Sequence, residues 1–158
     1  MTGTVGLTLT VNGERHALQV EPFETLLTTL RDRLRLTAAK RGCNQGVCGA
    51  CSVLVEGEPA RACLSLTANC VDCAITTVEG LSAPLALSPL QAAMVKSGAI
   101  QCGFCTPGML VTLTALLQRC ARPSRDEIRT AVSSNLCRCT GYQKIVEAVV
   151  ATIEQSPA

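Results

Sequence analysis

The sequence predicts an α+β protein, with a sheet-rich N-terminal unit followed by an all-helical one. Three observations carry that expectation. Residues 7–20 alternate apolar and polar about Asn12-Gly13. From Ser88 onward, apolar residues recur at helical spacing behind capping signatures. Eight of the eleven cysteines fall into two groups of four, one in each unit.

In the first unit, Leu7, Leu9 and Val11 share a strand face, Asn12-Gly13 is a hairpin turn, and Ala17, Leu18 and Val20 lie on the return strand. Thr25 is a plausible N-cap for a helix bearing Leu26, Leu27, Leu30 and Leu34. A glycine-rich loop from Arg41 to Cys51 follows. Ser52–Val55 and Ala60–Cys63 read as a hairpin around Glu56-Gly57-Glu58-Pro59, and Ala74–Val78 as the closing strand. In the second unit, Ser88-Pro89-Leu90-Gln91 and Ser124-Arg125-Asp126-Glu127 are capping boxes, and Thr106-Pro107 opens the helix of Leu110, Leu113 and Leu117. Thr140-Gly141-Tyr142-Gln143 reads as a third box, heading a helix with Ile145, Val146, Val149 and Ile153 on one side. Four such helices make a small bundle. The expected domains are 1–80 and 81–158, with the break in Gly80–Leu87 at Ser82-Ala83-Pro84.

Composition narrows the function classes. Hydrophobic residues are 47% of the 158, but aromatics are only 2%, so small aliphatics must fill the core. Charged residues are 16%, below the roughly 25% of a typical soluble domain, which points to apolar surface covered by partners. A net charge of +2 without a Lys/Arg run argues against nucleic acid. No segment reaches the roughly 18–20 apolar residues of a membrane span. An odd, high cysteine count behind an N-terminus without export features points to metal ligation in a reducing compartment, hence the cytoplasm, unless a folded partner carries an export signal.

The first cysteine group reads Cys43-Asn-Gln-Gly-Val-Cys48-Gly-Ala-Cys51, then eleven residues to Cys63. This C-x4-C-x2-C…C spacing is the plant-type 2Fe–2S pattern. Gly42, Gly46 and Gly49 are expected to take positive φ and bring backbone N–H groups close to such a cluster. The second group reads Cys102-x2-Cys105, then thirty-one residues to Cys137-x-Cys139, both pairs in turns between predicted helices. Four cysteines of that kind also suit structural zinc. A zinc-ribbon pairing of Cys48-x2-Cys51 with Cys70-x2-Cys73 fits a generic spacing too, but it orphans Cys43 and Cys63. Cys70 and Cys73 read as packed or surface thiols with a transient disulfide open to them, Cys120 as a small apolar filler, and His16 as a solvated side chain.

The stretches 42–51, 101–109 (Gln-Cys-Gly-Phe-Cys-Thr-Pro-Gly-Met) and 135–142 (Asn-Leu-Cys-Arg-Cys-Thr-Gly-Tyr) closely resemble the iron–sulfur subunit of the molybdenum hydroxylases, the xanthine oxidase and aldehyde oxidoreductase family. The likeness runs from about Leu7 to Ile153. It implies a β-grasp ferredoxin domain followed by a four-helix domain, and iron rather than zinc at the second site. It also implies a large partner subunit holding molybdopterin in its cytosine dinucleotide form, which Gln101 and Cys139 would contact, and an acceptor that is a FAD-binding subunit or a haem protein (a cytochrome). The implied role is electron relay through Cys102, Cys105, Cys137 and Cys139 to Cys43, Cys48, Cys51 and Cys63, with no catalytic residue on this chain. A free-standing two-cluster ferredoxin is the alternative of another class, and a structural zinc protein is the second.

Overall fold

The computed structural model describes residues 3–83 and 85–155; Pro84, part of the expected boundary, lies outside them. The first half is a five-stranded mixed sheet. Strands β1 (Val5–Val11) and β2 (Glu14–Val20) form an antiparallel hairpin. Its two-residue turn has Asn12 at φ 52° and Gly13 at φ 83°, the left-handed pair that matches strand twist. Leu9, Val11 and Val20 are buried, but Ala17 is exposed. The return strand therefore buries the His16, Leu18, Val20 face, because side chains alternate with period two.

After β2, Thr25 caps the helix as expected, its hydroxyl accepting from Thr28 N–H at 3.3 Å. The helix itself is short: α1 (Leu26–Thr28) widens at once into a π-turn over Thr29–Arg33. That wider turn accompanies a buried polar knot. Glu24 accepts from Thr29 Oγ1 at 2.6 Å and from Arg33 Nε at 2.7 Å, while the Thr29 and Thr67 hydroxyls lie 2.8 Å apart.

Strands β3 (Ser52–Val55) and β4 (Glu58–Arg61) form the second hairpin. Its turn is Glu56-Gly57 alone, both at positive φ, so the strand begins two residues before the expected start and Cys63 falls beyond its end. Pro59 is tolerated because β4 is an edge strand. Strand β5 (Ala74–Thr76) is shorter than expected, since a 3₁₀ turn takes over at Val78–Gly80. The order is β2-β1-β5-β3-β4, with β5 parallel to β1 and antiparallel to β3. The β-grasp expectation holds.

The second half contains α2 (Pro89–Lys96), α3 (Thr106–Arg119), α4 (Arg125–Ser133) and α5 (Gln143–Gln155). The Ser88/Gln91 and Ser124/Glu127 capping boxes both form. The third does not. Gln143 Nε2 donates to Glu147 instead of reaching back, and Thr140 turns its hydroxyl to the Cys137 sulfur.

Helix α3 is buried nearly all round, as its apolar composition demands. Met109 and Leu113 enter the helical core with Met94, Ile128, Ile145 and Val149. On its other side, Val111 and Ala115 pack against Leu54 of β3. Two polar side chains fasten the same joint. Buried Asn135 donates to Gly49 C=O and accepts from Thr112 Oγ1, both at 2.8 Å. Arg61 reaches Ser52 Oγ and Ser134 C=O, each at 2.5 Å. Gly108 lets α3 press against the Gly49 carbonyl, where a Cβ would collide.

Two candidate metal centres

The first centre is a loop wrapped around its own sulfurs. Cys43 Sγ accepts from the N–H groups of Gln45 at 3.4 Å and Cys48 at 3.3 Å, and Cys48 Sγ accepts from Cys43 N–H at 3.4 Å. Those donors draw the Cys43 thiol down to about 6, because N–H groups favour the thiolate. Gly46 and Gly49 do take positive φ, at 76° and 74°. Gly42 does not. It serves close approach, since a Cβ there would sit 2.8 Å from Cys48 Sγ. Cys51 and Cys63 form the second, buried pair; burial pushes the Cys51 thiol up to about 11, with the Cys63 backbone and side chain beside it.

The second centre comes from two turns distant in sequence. Cys102 and Cys105 precede α3, and Cys137 and Cys139 lie between α4 and α5. Cys139 and Cys102 are exposed, with their sulfurs 3.4 Å apart. Cys105 and Cys137 lie together deeper in, each half-buried, and burial pushes Cys105 up to about 12. At Cys137 burial also raises, but the hydroxyl and N–H of Thr140 overcome it and hold the thiol at about 7.

Each centre is thus two pairs of thiols, 43/48 with 51/63 and 102/139 with 105/137. Two pairs suit a two-iron unit, in which each iron takes two cysteines. Among the described residues, no group of three or more His, Cys, Asp and Glu side chains is disposed around a single-ion position. Cys70 sits in the sheet core, its thiol directed to Leu66 C=O at 3.5 Å, with Cys73 half-buried nearby. His16 is half-buried beside Glu14 at 4.0 Å. Cys120 ends α3, half-buried.

The two centres touch through backbone. Leu136 N–H donates to Cys48 C=O at 2.8 Å, so one hydrogen bond joins the residue before Cys137 to a cysteine of the first loop. Phe104, between Cys102 and Cys105, lies against Gly42. Gln101 is exposed, and its side chain takes no hydrogen-bond partner among the described residues. Apolar side chains stand exposed at both centres: Val47 and Leu64 at the first, Phe104 and Leu136 at the second.

Asn135, Thr140 and Tyr142 stand inside a cysteine-bearing turn, yet spacing alone gave no role to Asn135 or Tyr142 and misassigned Thr140. A single tyrosine in 158 residues was the available signal. Its hydroxyl accepts from Cys137 N–H at 2.7 Å and donates to Asn135 C=O at 3.3 Å.

Comparison with known proteins agrees with this architecture. The 2Fe-2S iron-sulfur cluster binding domain family matches residues 9–82, and a second 2Fe-2S binding domain family matches residues 77–150. The nicotine 6-hydroxylase small subunit of Paenarthrobacter nicotinovorans is 49% identical over 146 residues, covering 92% of this chain and 88% of that one. The nicotinate dehydrogenase small FeS subunit of Eubacterium barkeri is 42% identical over 151 residues, covering 96% of each. A chain of the quinoline 2-oxidoreductase structure from Pseudomonas putida 86 superposes with a TM-score of 0.93 at 44% identity, covering 97% of this chain and 96% of that one. Two cluster domains, paired thiols in both and relatives of matching length lead to one conclusion: the chain belongs to the iron–sulfur, electron-transfer subunits of the molybdenum hydroxylase (xanthine oxidase) family.

Proposed function

We propose that this chain carries electrons inward from a large molybdopterin-binding partner, in at the exposed thiol pair of the second centre and out from the first. Cys102, Cys105, Cys137 and Cys139 hold one 2Fe–2S cluster, and Cys43, Cys48, Cys51 and Cys63 hold the other. Such a cluster supplies one-electron storage when bound. The division of labour follows domains 1–80 and 81–158.

The observation that carries the reading is the order of exposure. Cys102 and Cys139 are exposed, and Cys105 and Cys137 lie behind them. Leu136 then hands on to Cys48 through its 2.8 Å hydrogen bond. Gln101 stands beside the outer pair with its amide free of partners among the described residues, so it is available to hydrogen-bond the pterin, which we take to be the cytosine dinucleotide form. Exposed Val47 and Leu64 flank the first loop, and they offer an apolar contact for the acceptor, a FAD-binding subunit or a cytochrome. The complex works in the cytoplasm. No helix among the described residues is long and apolar enough to cross a membrane.

The test is electron paramagnetic resonance on the anaerobically reduced complex, with iron and molybdenum quantified on the same sample. Two distinct 2Fe–2S signals and about four irons per copy, two at each four-cysteine site, are expected, with molybdenum in the same peak. One signal, or zinc in place of iron, overturns the reading. Gln101→Ala should slow reduction of both clusters by substrate with both signals intact; unchanged kinetics would remove Gln101 from the relay.

A further inference from the structure

We infer that Thr140 is a positioning residue for electron transfer: its hydroxyl, hydrogen-bonded to Cys137 Sγ, raises the reduction potential of the second cluster relative to a site without that bond. The inference rests on the reading that Cys102, Cys105, Cys137 and Cys139 hold a 2Fe–2S cluster.

Both donors of Thr140 converge on one sulfur. Its Oγ1–H lies 3.0 Å from Cys137 Sγ and its backbone N–H lies 3.2 Å away. The direction of the hydroxyl is set from behind, because Tyr142 N–H donates to Thr140 Oγ1 at 3.4 Å. An oxygen that accepts there is left to donate toward the sulfur. The sulfur is fixed as well. Tyr142 Oη accepts the Cys137 N–H at 2.7 Å and ties it to Asn135 C=O, and Asn135 is itself buried and locked to Gly49 and Thr112. The turn cannot drift without breaking that chain of bonds.

Helix capping does not account for Thr140. Helix α5 begins at Gln143, whose side chain donates to Glu147, and the Thr140 N–H that a capping box would engage is committed to Cys137. The contrast with the first centre is direct. There Cys43 and Cys48 accept from backbone N–H groups alone, and among the described residues Thr140 is the one side-chain hydroxyl that donates to a cysteine sulfur.

Reduction adds negative charge to the cluster and its sulfurs, and a donor aimed at a sulfur stabilises that charge more than it stabilises the oxidised state. Hydrogen bonds to the sulfurs are an established lever on such potentials. With the hydroxyl in place, the second cluster is easier to reduce than the same site without it, which suits a site that must take electrons from a partner.

The experiment is a potentiometric titration of the assembled complex followed by electron paramagnetic resonance, with the first cluster as internal standard. The variants are T140V, which keeps the shape and removes the hydroxyl, and T140S, which keeps the hydroxyl. At a fixed poise near the midpoint, T140V should lower the ratio of reduced to oxidised second cluster by up to tenfold, a factor that corresponds to 59 mV for one electron. T140S should stay within about twofold of wild type on the same scale, and the first cluster should not move. A T140V midpoint equal to wild type overturns the inference. So does a T140S shift as large as that of T140V, which would assign the effect to packing. If T140V loses the second cluster, T140A replaces it; loss in both, with T140S intact, makes Thr140 structural and also overturns tuning. A wild-type complex with a single 2Fe–2S signal instead refutes the second-cluster reading itself, a different failure with a different signature.

Discussion

The two centres reach the same pairing of thiols by opposite routes. At the first, three cysteines lie within nine residues, and the loop that carries them supplies the N–H groups that surround them. At the second, the cysteines come from two turns thirty-one residues apart and are brought together by helix packing. The first hides a pair, Cys51 and Cys63, in the sheet core; the second leaves a pair, Cys102 and Cys139, in the open. A locally built site can be sealed within one domain. A site assembled between helix ends must leave an edge open, and an open edge is where a partner can dock.

The largest effect that would break this comparison is loss of one cluster without the other. Cys63→Ala should remove the first signal and about half the iron, leaving the second cluster intact; Cys105→Ala should do the reverse. Iron analysis with electron paramagnetic resonance reads both. If Cys105→Ala also erases the first signal, the first loop is not self-sufficient and the contrast between local and assembled sites fails.

The joint between the halves gives the next effect. A Cβ at Gly108 would collide with the Gly49 carbonyl and come 2.9 Å from Asn135 Nδ2. Gly108→Ala should cost about 2–3 kcal/mol through overpacking, read as a lower denaturant midpoint. It should also weaken the magnetic interaction between the two reduced clusters, because the Leu136 to Cys48 contact depends on the same approach. An unchanged midpoint would mean that the joint yields easily and does not set the spacing of the two sites.

The same contrast explains what was legible in the sequence. Local signals were read correctly: the Asn12-Gly13 turn, the Thr25 cap and two capping boxes all depend on neighbours in the chain. Tertiary choices were not. The π-turn after Thr28 goes with Arg33 reaching Glu24, a contact between residues nine apart that helical periodicity does not encode. Ala17 faces outward because period two links Val20 to Leu18 and His16, an alternation the return strand's composition blurs. Thr140 carries a valid capping signature and is diverted by a sulfur, which only the folded turn brings within 3.0 Å. Asn135 and Arg61 span the joint, so their partners could not be seen before the halves were placed together.

The smallest effect separates the halves by their response to acid. The sheet half contains an ion pair whose carboxylate is buried, Glu24 with Arg33 at 2.5 Å, whereas the ion pair within the helices, Arg129 with Asp126, is exposed. The hydrogen bond from Arg33 is the main reason that Glu24 falls from 4.5 to about 2; burial opposes it and Thr29 assists. A carboxylate whose folded value lies below its unfolded one stabilises the protein fully above the unfolded value, about 4.5, and loses that contribution as pH falls toward 2. Arg33 is about one-third exposed, so solvent screening reduces the gain to ~1–2 kcal/mol. Glu24→Gln should therefore be less stable than wild type by that amount at pH 7. The gap should narrow by about half by pH 3, as measured by denaturant unfolding at each pH. Hydrogen exchange should localise the loss to the Leu26 and Thr67 amides, which bond to Ser65 and Glu24 carbonyls, and leave α4 and α5 unchanged. A gap constant with pH would mean that Glu24 acts by shape rather than charge, and a loss spread equally into α4 and α5 would mean that the two halves unfold as one unit.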